Sequence, residues 1–208
     1  MREKMVKYQI EGRGITDTNV LNAMRNVERH LFVDKELHIQ AYNDYPLGIG
    51  EGQTISQPYI VALMTEMLAL NENDKVLEVG TGSGYQAAIL GEIVDSVFTI
   101  EIYESLGKHS NQLLRALGYK NVFVKIGDGY QGWPENAPFN GIIVTCAPTH
   151  IPDPLINQLK EGGRLVIPVG ESYYQQLEIF KKKDGKLKRI DTVPVRFVPM
   201  INKEGQKY

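Results

Sequence analysis

One cysteine, Cys146, stands in a chain of 208 residues, so no intrachain disulfide framework exists and a reducing, cytoplasmic compartment is expected. No run of about 18 apolar residues occurs, which excludes a membrane-spanning helix. The opening Met1-Arg2-Glu3-Lys4 lacks the apolar stretch of a signal peptide. Charge of one sign is missing too: 23 lysines and arginines face 25 aspartates and glutamates, a formal net charge of −2 that argues against nucleic acid as a partner. The one basic run, Lys181 to Arg189, surrounds an Asp184-Gly185 turn without interleaved aromatics, as a solvated hairpin does. His30, His38, His109 and His150 are scattered without metal-ligand spacing, so no metal is expected. A monomer that engages neither membrane nor nucleic acid is the expectation.

What is present is a composition of 42% hydrophobic and 23% charged residues, enough to bury a sizeable core. One domain is expected over 1–208, with a helical segment 1–70, a ligand-binding core 71–170, and a hairpin with tail 171–208. Asp17 or Thr18 can cap a helix whose apolar face is Val20, Leu21, Met24, Val27 and Leu31, leaving Arg25 and Glu28 wet. A second helix starts near Ser56-Gln57-Pro58, where proline suits the first turn, and runs through Ile60, Val61, Leu63, Met64, Met67 and Leu68. From Lys75 onward, apolar runs of strand length alternate with helical or glycine-rich connections. Strands are predicted at Val76–Val79, Val97–Glu101, Val122–Ile126, Gly141–Cys146 and Arg164–Val169, and helices at Tyr85–Ile93, Ser105–Leu117 and Pro154–Lys160. Gln176–Lys182 and Leu187–Val193 flank the turn signal Lys183-Asp184-Gly185-Lys186. The fold class is α/β, a doubly wound Rossmann-like sheet with a C-terminal antiparallel hairpin and extra N-terminal helices. Asn202 to Tyr208 are expected to be loosely held.

The chemistry begins at Val76-Leu77-Glu78-Val79-Gly80-Thr81-Gly82-Ser83-Gly84. Glycines between a strand and a helix permit a sharp turn and let an anionic group approach backbone N–H groups at the helix start. The spacing is G-x-G-x-G rather than the dinucleotide G-x-G-x-x-G, so a pyrophosphate is the weaker reading. Glu101 ends the next strand, 21 residues after Gly80, where an acidic side chain can accept both ribose hydroxyls. Gly127-Asp128-Gly129 follows the third strand at the same edge and can bracket an adenine. Glu78, inside a strand, needs a partner if buried, such as a cationic ligand or backbone and water donors. Three loops converging on one crevice point to an adenosyl cofactor.

These motifs resemble those of class I S-adenosylmethionine-dependent methyltransferases. The resemblance narrows with Arg13-Gly14-Ile15, Ala41-Tyr42-x-Asp44-x-Pro46-Leu47, Gly50-x-Gly52-Gln53-Thr54-Ile55-Ser56-Gln57-Pro58, Pro168-Val169-Gly170 and Phe197-Val198-Pro199. In order and spacing they are similar to the protein-L-isoaspartate (D-aspartate) O-methyltransferase family over nearly the whole chain. That resemblance implies methyl transfer from S-adenosyl-L-methionine to the free α-carboxylate of L-isoaspartyl residues in damaged proteins and peptides, leaving S-adenosyl-L-homocysteine. It assigns Ser56 to catalysis. Cofactor contacts carry over to Gln53, Thr54, Ile55, Ser56, Gly80, Gly82, Gly84, Glu101, Asp128 and Gly129, with Glu78, Thr81 and Ser83 of the same glycine motif. Substrate contacts are expected from Thr54, Ile55, Ser56, Val198 and Pro199. Three positions depart from the family pattern: Glu28 where proline is common, Asn140 in place of an acidic residue, and Cys146 in place of alanine. Asn140 is expected to alter a strand-entry hydrogen bond.

The reaction is legible without the family. A carboxylate of pKa about 3 to 4 is ionised at neutral pH and the sulfonium methyl is already electrophilic, so no general base is required. Ser56 is expected to orient the carboxylate rather than act as nucleophile, since no histidine and acid are placed to activate it. Locally, a serine two residues before proline also reads as a helix N-cap, and the two roles are compatible. Trp133 and Tyr130 either stack near the adenine or fill a loop core, and Tyr42 and Tyr45 either line a substrate groove or anchor the N-terminal segment. Cys146 reads as a small core residue. A methyltransferase for small molecules or nucleic acid, and a non-catalytic sensor of the cofactor, are the rival functions.

Overall fold

The computed structural model describes residues 1–171 and 174–208. Helix α1 (Arg2–Lys4) widens into a π-helical segment, Met5–Ile10. Helix α2 (Thr18–Asn26) begins where the Asp17 carboxylate accepts the N–H groups of Asn19 and Val20 at 2.8 and 3.1 Å, the expected cap. It ends sooner than its apolar stripe suggests. Val27 is extended (φ −74°, ψ 123°), the conformation that a following proline imposes, although Glu28 follows, and Leu31 falls in a separate 3₁₀ turn, Arg29–Phe32. Arg25 is paired with Glu11 at 3.2 Å rather than simply wet, and Glu28 is exposed beside Arg2 at 3.5 Å. Arg29 is fully buried. Its Nε donates to the Ala41 carbonyl at 2.7 Å and its guanidinium lies 4.9 Å from the Tyr85 ring, which docks the N-terminal segment against the helix that leaves the glycine loop.

The glycine-punctuated stretch before the second helix is paired, not a loop. Strands β1 (Leu47–Gly50) and β2 (Gln53–Ile55) form an antiparallel hairpin whose two turn residues, Glu51 and Gly52, both have positive φ (52° and 68°), as a type I′ turn requires. Helix α3 (Pro58–Leu68) follows, and its Glu66 carboxylate accepts the N–H groups of Thr16 and Asp17 at 2.7 Å each, fixing α2 against α3.

The main sheet contains β3 (Lys75–Val79), β4 (Ser96–Glu101), β5 (Val122–Ile126), β6 (Phe139–Val144), β7 (Leu159–Glu171), β8 (Tyr174–Lys183) and β9 (Lys186–Val195), in the order β5-β4-β3-β6-β7-β8-β9. The first five neighbours run parallel and the last two pairings are antiparallel, as expected for a doubly wound sheet closed by a hairpin. Alternation sorts the side chains. Val76, Val97, Ile143 and Val166 face α3, α4 (Tyr85–Gly91), α5 (Glu104–Ala116) and the N-terminal segment, whereas Leu77, Val79, Ile142 and Leu165 face α6 (Asp153–Gln158). Strand order reverses between β3 and β6, so the carboxyl ends of these two strands open a crevice. Asn140 does make a strand-entry bond, its Oδ1 accepting the Lys75 N–H at 3.1 Å. The Asn202–Tyr208 segment is tied down, contrary to expectation: Ile201 bridges Lys207, Tyr208 N donates to Met200 O at 3.2 Å, and Thr149 N donates to Tyr208 O at 2.9 Å. No helix among the described residues is long and apolar enough to cross a membrane.

Candidate active site

The glycine loop turns away from β3 with φ values of +100° at Gly80, +51° at Gly82 and +87° at Gly84, a region that favours glycine. Gly80 N donates to Ile100 O at 2.8 Å, and Thr81 Oγ1 meets Thr99 Oγ1 at 2.7 Å, so the loop is sewn to β4. The Glu101 carboxylate closes the arrangement by accepting Gly82 N on Oε2 at 2.7 Å and Tyr103 N on Oε1 at 3.0 Å. Burial pushes its carboxyl upward, opposed by those N–H groups. Each oxygen keeps a lone pair for a diol. Gly84 does something else: it caps α4, and a Cβ there meets Leu114 and Ser110 of α5 at 3.2 to 3.3 Å, so its role is close helix packing rather than cleft lining.

A cleft partly open to solvent lies at the switch point. It brings together Gln53, Thr54, Gly80, Gly82, Glu101, Gly129, Val198 and Pro199. A wider groove adjoins it, with Ser56, Gln57 and Ile60 on one wall and Pro194 to Pro199 on the other. A small recess beside both holds Ile55, Ser56, Thr81 and Ser83. Thr54 and Thr145 line all three, which marks the passage between them. Thr145 was not expected from sequence. Its hydroxyl donates to Gly80 O at 2.8 Å, and the only signal for it is position, at the end of the strand across the switch from Gly80. Val198 and Pro199 are held there because Ala147 N donates to Val198 O and Met200 N to Ala147 O, both at 2.8 Å.

Like Gly84, Glu78 lies outside the cleft. Asp128 adjoins the lining residue Gly129, its Oδ1 accepting Tyr130 N at 3.0 Å and its Oδ2 the Tyr208 hydroxyl at 2.5 Å. Glu78 is fully buried, and neither of its oxygens has a hydrogen-bond partner among the described residues. Burial pushes its carboxyl up to about 8; the nearby Thr99 hydroxyl opposes this and the charge of Glu101 adds to it. The acceptor set on Glu101 suits the diol of a ribose, so these residues fit an adenosyl cofactor. Because the native value for Glu78 lies above the unfolded one, the folded state binds the extra proton and stability falls as pH rises from about 4.5 to about 8. Glu78→Gln should flatten that slope, raising the melting temperature at pH 8 far more than at pH 5 in calorimetric scans.

Ser56 is not the helix cap. Gln57 occupies that position, and Asp44 serves instead, accepting Tyr59 N at 3.2 Å and Gln57 Nε2 at 2.7 Å while pairing with Arg13 at 2.6 Å. The Ser56 hydroxyl makes no hydrogen bond among the described residues and faces the groove. Tyr42 and Tyr45 take the anchoring role, bonding His30 at 2.7 Å and Gln40 at 3.0 Å. Trp133 packs edge-on against Phe98 and Tyr130 stacks on Tyr208, so neither reaches the cleft. Cys146 lies past the end of β6, packed against the core and reaching the cleft wall, and burial with the charge of Glu101 pushes its thiol up to about 12, which keeps it protonated and unreactive.

A crevice at a strand-order reversal, floored by a glycine loop and walled by an acidic strand end, defines the class as an S-adenosylmethionine-dependent methyltransferase of Rossmann-like fold. Residues 1–205 match the family model described as protein-L-isoaspartate(D-aspartate) O-methyltransferase. The chain is 52% identical over 204 residues to protein-L-isoaspartate O-methyltransferase 1 of Syntrophobacter fumaroxidans, covering 98% of this chain and 95% of that protein. A solved protein-L-isoaspartate O-methyltransferase superposes with a TM-score of 0.89 at 32% identity, covering 99% of this chain and 67% of that one. A Plasmodium falciparum structure described as this enzyme in complex with S-adenosyl-L-homocysteine superposes with a TM-score of 0.83 at 26% identity, covering 97% and 98%. The chain belongs to the protein-L-isoaspartate(D-aspartate) O-methyltransferase family.

Proposed function

We propose that the chain repairs damaged proteins and peptides by methylating the free α-carboxylate of L-isoaspartyl residues, with Ser56 holding that carboxylate. The ester then closes to a succinimide, whose hydrolysis returns some normal aspartate. The observation that carries this is the passage lined by Thr54 and Thr145, which joins the cofactor cleft to a groove where the Ser56 hydroxyl is uncommitted. S-adenosylmethionine supplies the electrophilic methyl group. On this reading Glu101 and the N–H groups of the glycine loop hold the adenosyl and amino acid ends. Ser56 donates to one carboxylate oxygen and leaves the other to attack through the passage. Alignment of this kind is worth up to about 7–11 kcal/mol. The substrate arrives ionised, and no histidine lines any of the three cavities, so proton abstraction by a side chain is not part of the mechanism. The groove wall from Pro194 to Pro199 carries one charged side chain, Arg196, among apolar ones, which suits recognition of an extended backbone over particular side chains. A single free thiol and nearly balanced charge fit a cytoplasmic monomer.

Ser56→Ala should lower kcat on an isoaspartyl peptide by about 10- to 100-fold, the worth of a hydrogen bond to a charged group. Cofactor affinity and melting temperature should hold, because Ser56 caps nothing. Unchanged turnover would remove Ser56 from the mechanism.

A further inference from the structure

The geometry points to Tyr208 as a positioning residue for the adenine end of the cofactor cleft, acting through Asp128. It rests on Asp128 being the adenine contact. Among the described residues near it in sequence, the Tyr130 N–H on Oδ1 alone fixes the Asp128 side chain, which leaves its carboxylate plane free to rotate. The Tyr208 hydroxyl supplies the second point by donating to Oδ2 at 2.5 Å. Two bonds on the two oxygens set the plane and leave lone pairs for one more donor, such as an exocyclic amino group.

Tyr208 is itself held from three sides. Its ring stacks on Tyr130 with centroids 4.2 Å apart, its N–H bonds Met200 O at 3.2 Å, and its carbonyl accepts Thr149 N at 2.9 Å. Met200 and Ile201, at the other end of that small turn, line the cleft beside Gly129. The tail thus couples the cleft wall to the carboxylate one residue from it. The Tyr208 hydroxyl is pushed up to about 12 by burial and by Asp128, so it remains a donor across the working pH range.

Titration calorimetry with S-adenosylhomocysteine and with its 6-desamino analogue, in which hydrogen replaces the amino group, tests this. Wild-type protein should prefer the amino compound. Tyr208→Phe keeps the ring stack and removes the hydroxyl. It should raise the Kd of the amino compound about fivefold while moving that of the desamino compound less than about twofold, so that the preference collapses. Asp128→Asn should collapse the preference as well. If Asp128→Asn does so and Tyr208→Phe weakens both ligands equally, or neither, Tyr208 is structural only and the inference is overturned. If Asp128→Asn leaves the preference intact, the adenine contact is wrong and the role of Tyr208 falls with it.

Discussion

Replacing Glu101 by alanine should nearly abolish cofactor binding while leaving a folded protein. The carboxylate grips Gly82 N at 2.7 Å and Tyr103 N at 3.0 Å while its free lone pairs face the space where a ribose fits. Removing it orphans two N–H groups and takes away both hydroxyl acceptors. With charge-assisted hydrogen bonds worth about 1.5–3 kcal/mol each, two lost to the ligand weaken binding by on the order of a thousandfold. Glu101→Gln should fall between, since its single carbonyl oxygen can keep only one side of the arrangement. Calorimetric titration with S-adenosylhomocysteine measures both. An alanine variant within tenfold of wild type, a threshold of about 1.4 kcal/mol, would displace the ribose from Glu101.

Gly80→Ala should be strongly damaging. The backbone there sits at φ +100°, and a Cβ would lie 2.4 Å from Thr145 Oγ1, inside any tolerable contact. Thr145 cannot yield cheaply, because its hydroxyl is bonded to Gly80 O at 2.8 Å and Val79 O at 3.1 Å. Strain at a left-handed position costs about 1–3 kcal/mol before any clash is counted, and relief by moving Thr145 opens the passage between cleft and groove. A melting temperature lower by about 5–10 °C and loss of measurable turnover are expected. Adding Thr145→Ala removes the clash but not the strain, so the double variant should recover part of the melting temperature. Full recovery would show that the backbone conformation itself costs nothing.

The α/β order was legible because buried parallel strands must be short apolar runs, and Val76–Val79, Val97–Glu101 and Val122–Ile126 lie within one residue of the observed strands. Glu101 and the glycine loop were legible for the same reason, since a strand end and the turn after it are local facts. What escaped was settled by partners distant in sequence. Ser56 carries the local pattern of a cap, yet Asp44 performs that task from 15 residues before Tyr59. Arg29 sits among residues that read as a wet helix face, and the partners that receive it, the Ala41 carbonyl and the Tyr85 ring, are distant in sequence. The β1–β2 hairpin is short and glycine-rich, so no alternation announces it. Thr145 belongs to no motif, and its importance comes from topology, which puts the end of β6 beside the start of the glycine loop.

The central claim is that the groove beside Ser56 selects a displaced carboxylate on a peptide backbone. Methyl incorporation into two peptides identical except for one L-isoaspartyl or normal L-aspartyl residue tests it most directly. Labelling of the isoaspartyl peptide alone, as a base-labile ester, is the predicted result. Equal labelling of both peptides would make the protein a general carboxyl methyltransferase. Cofactor binding with no labelling of either would make it a sensor, and each of these outcomes contradicts the assignment.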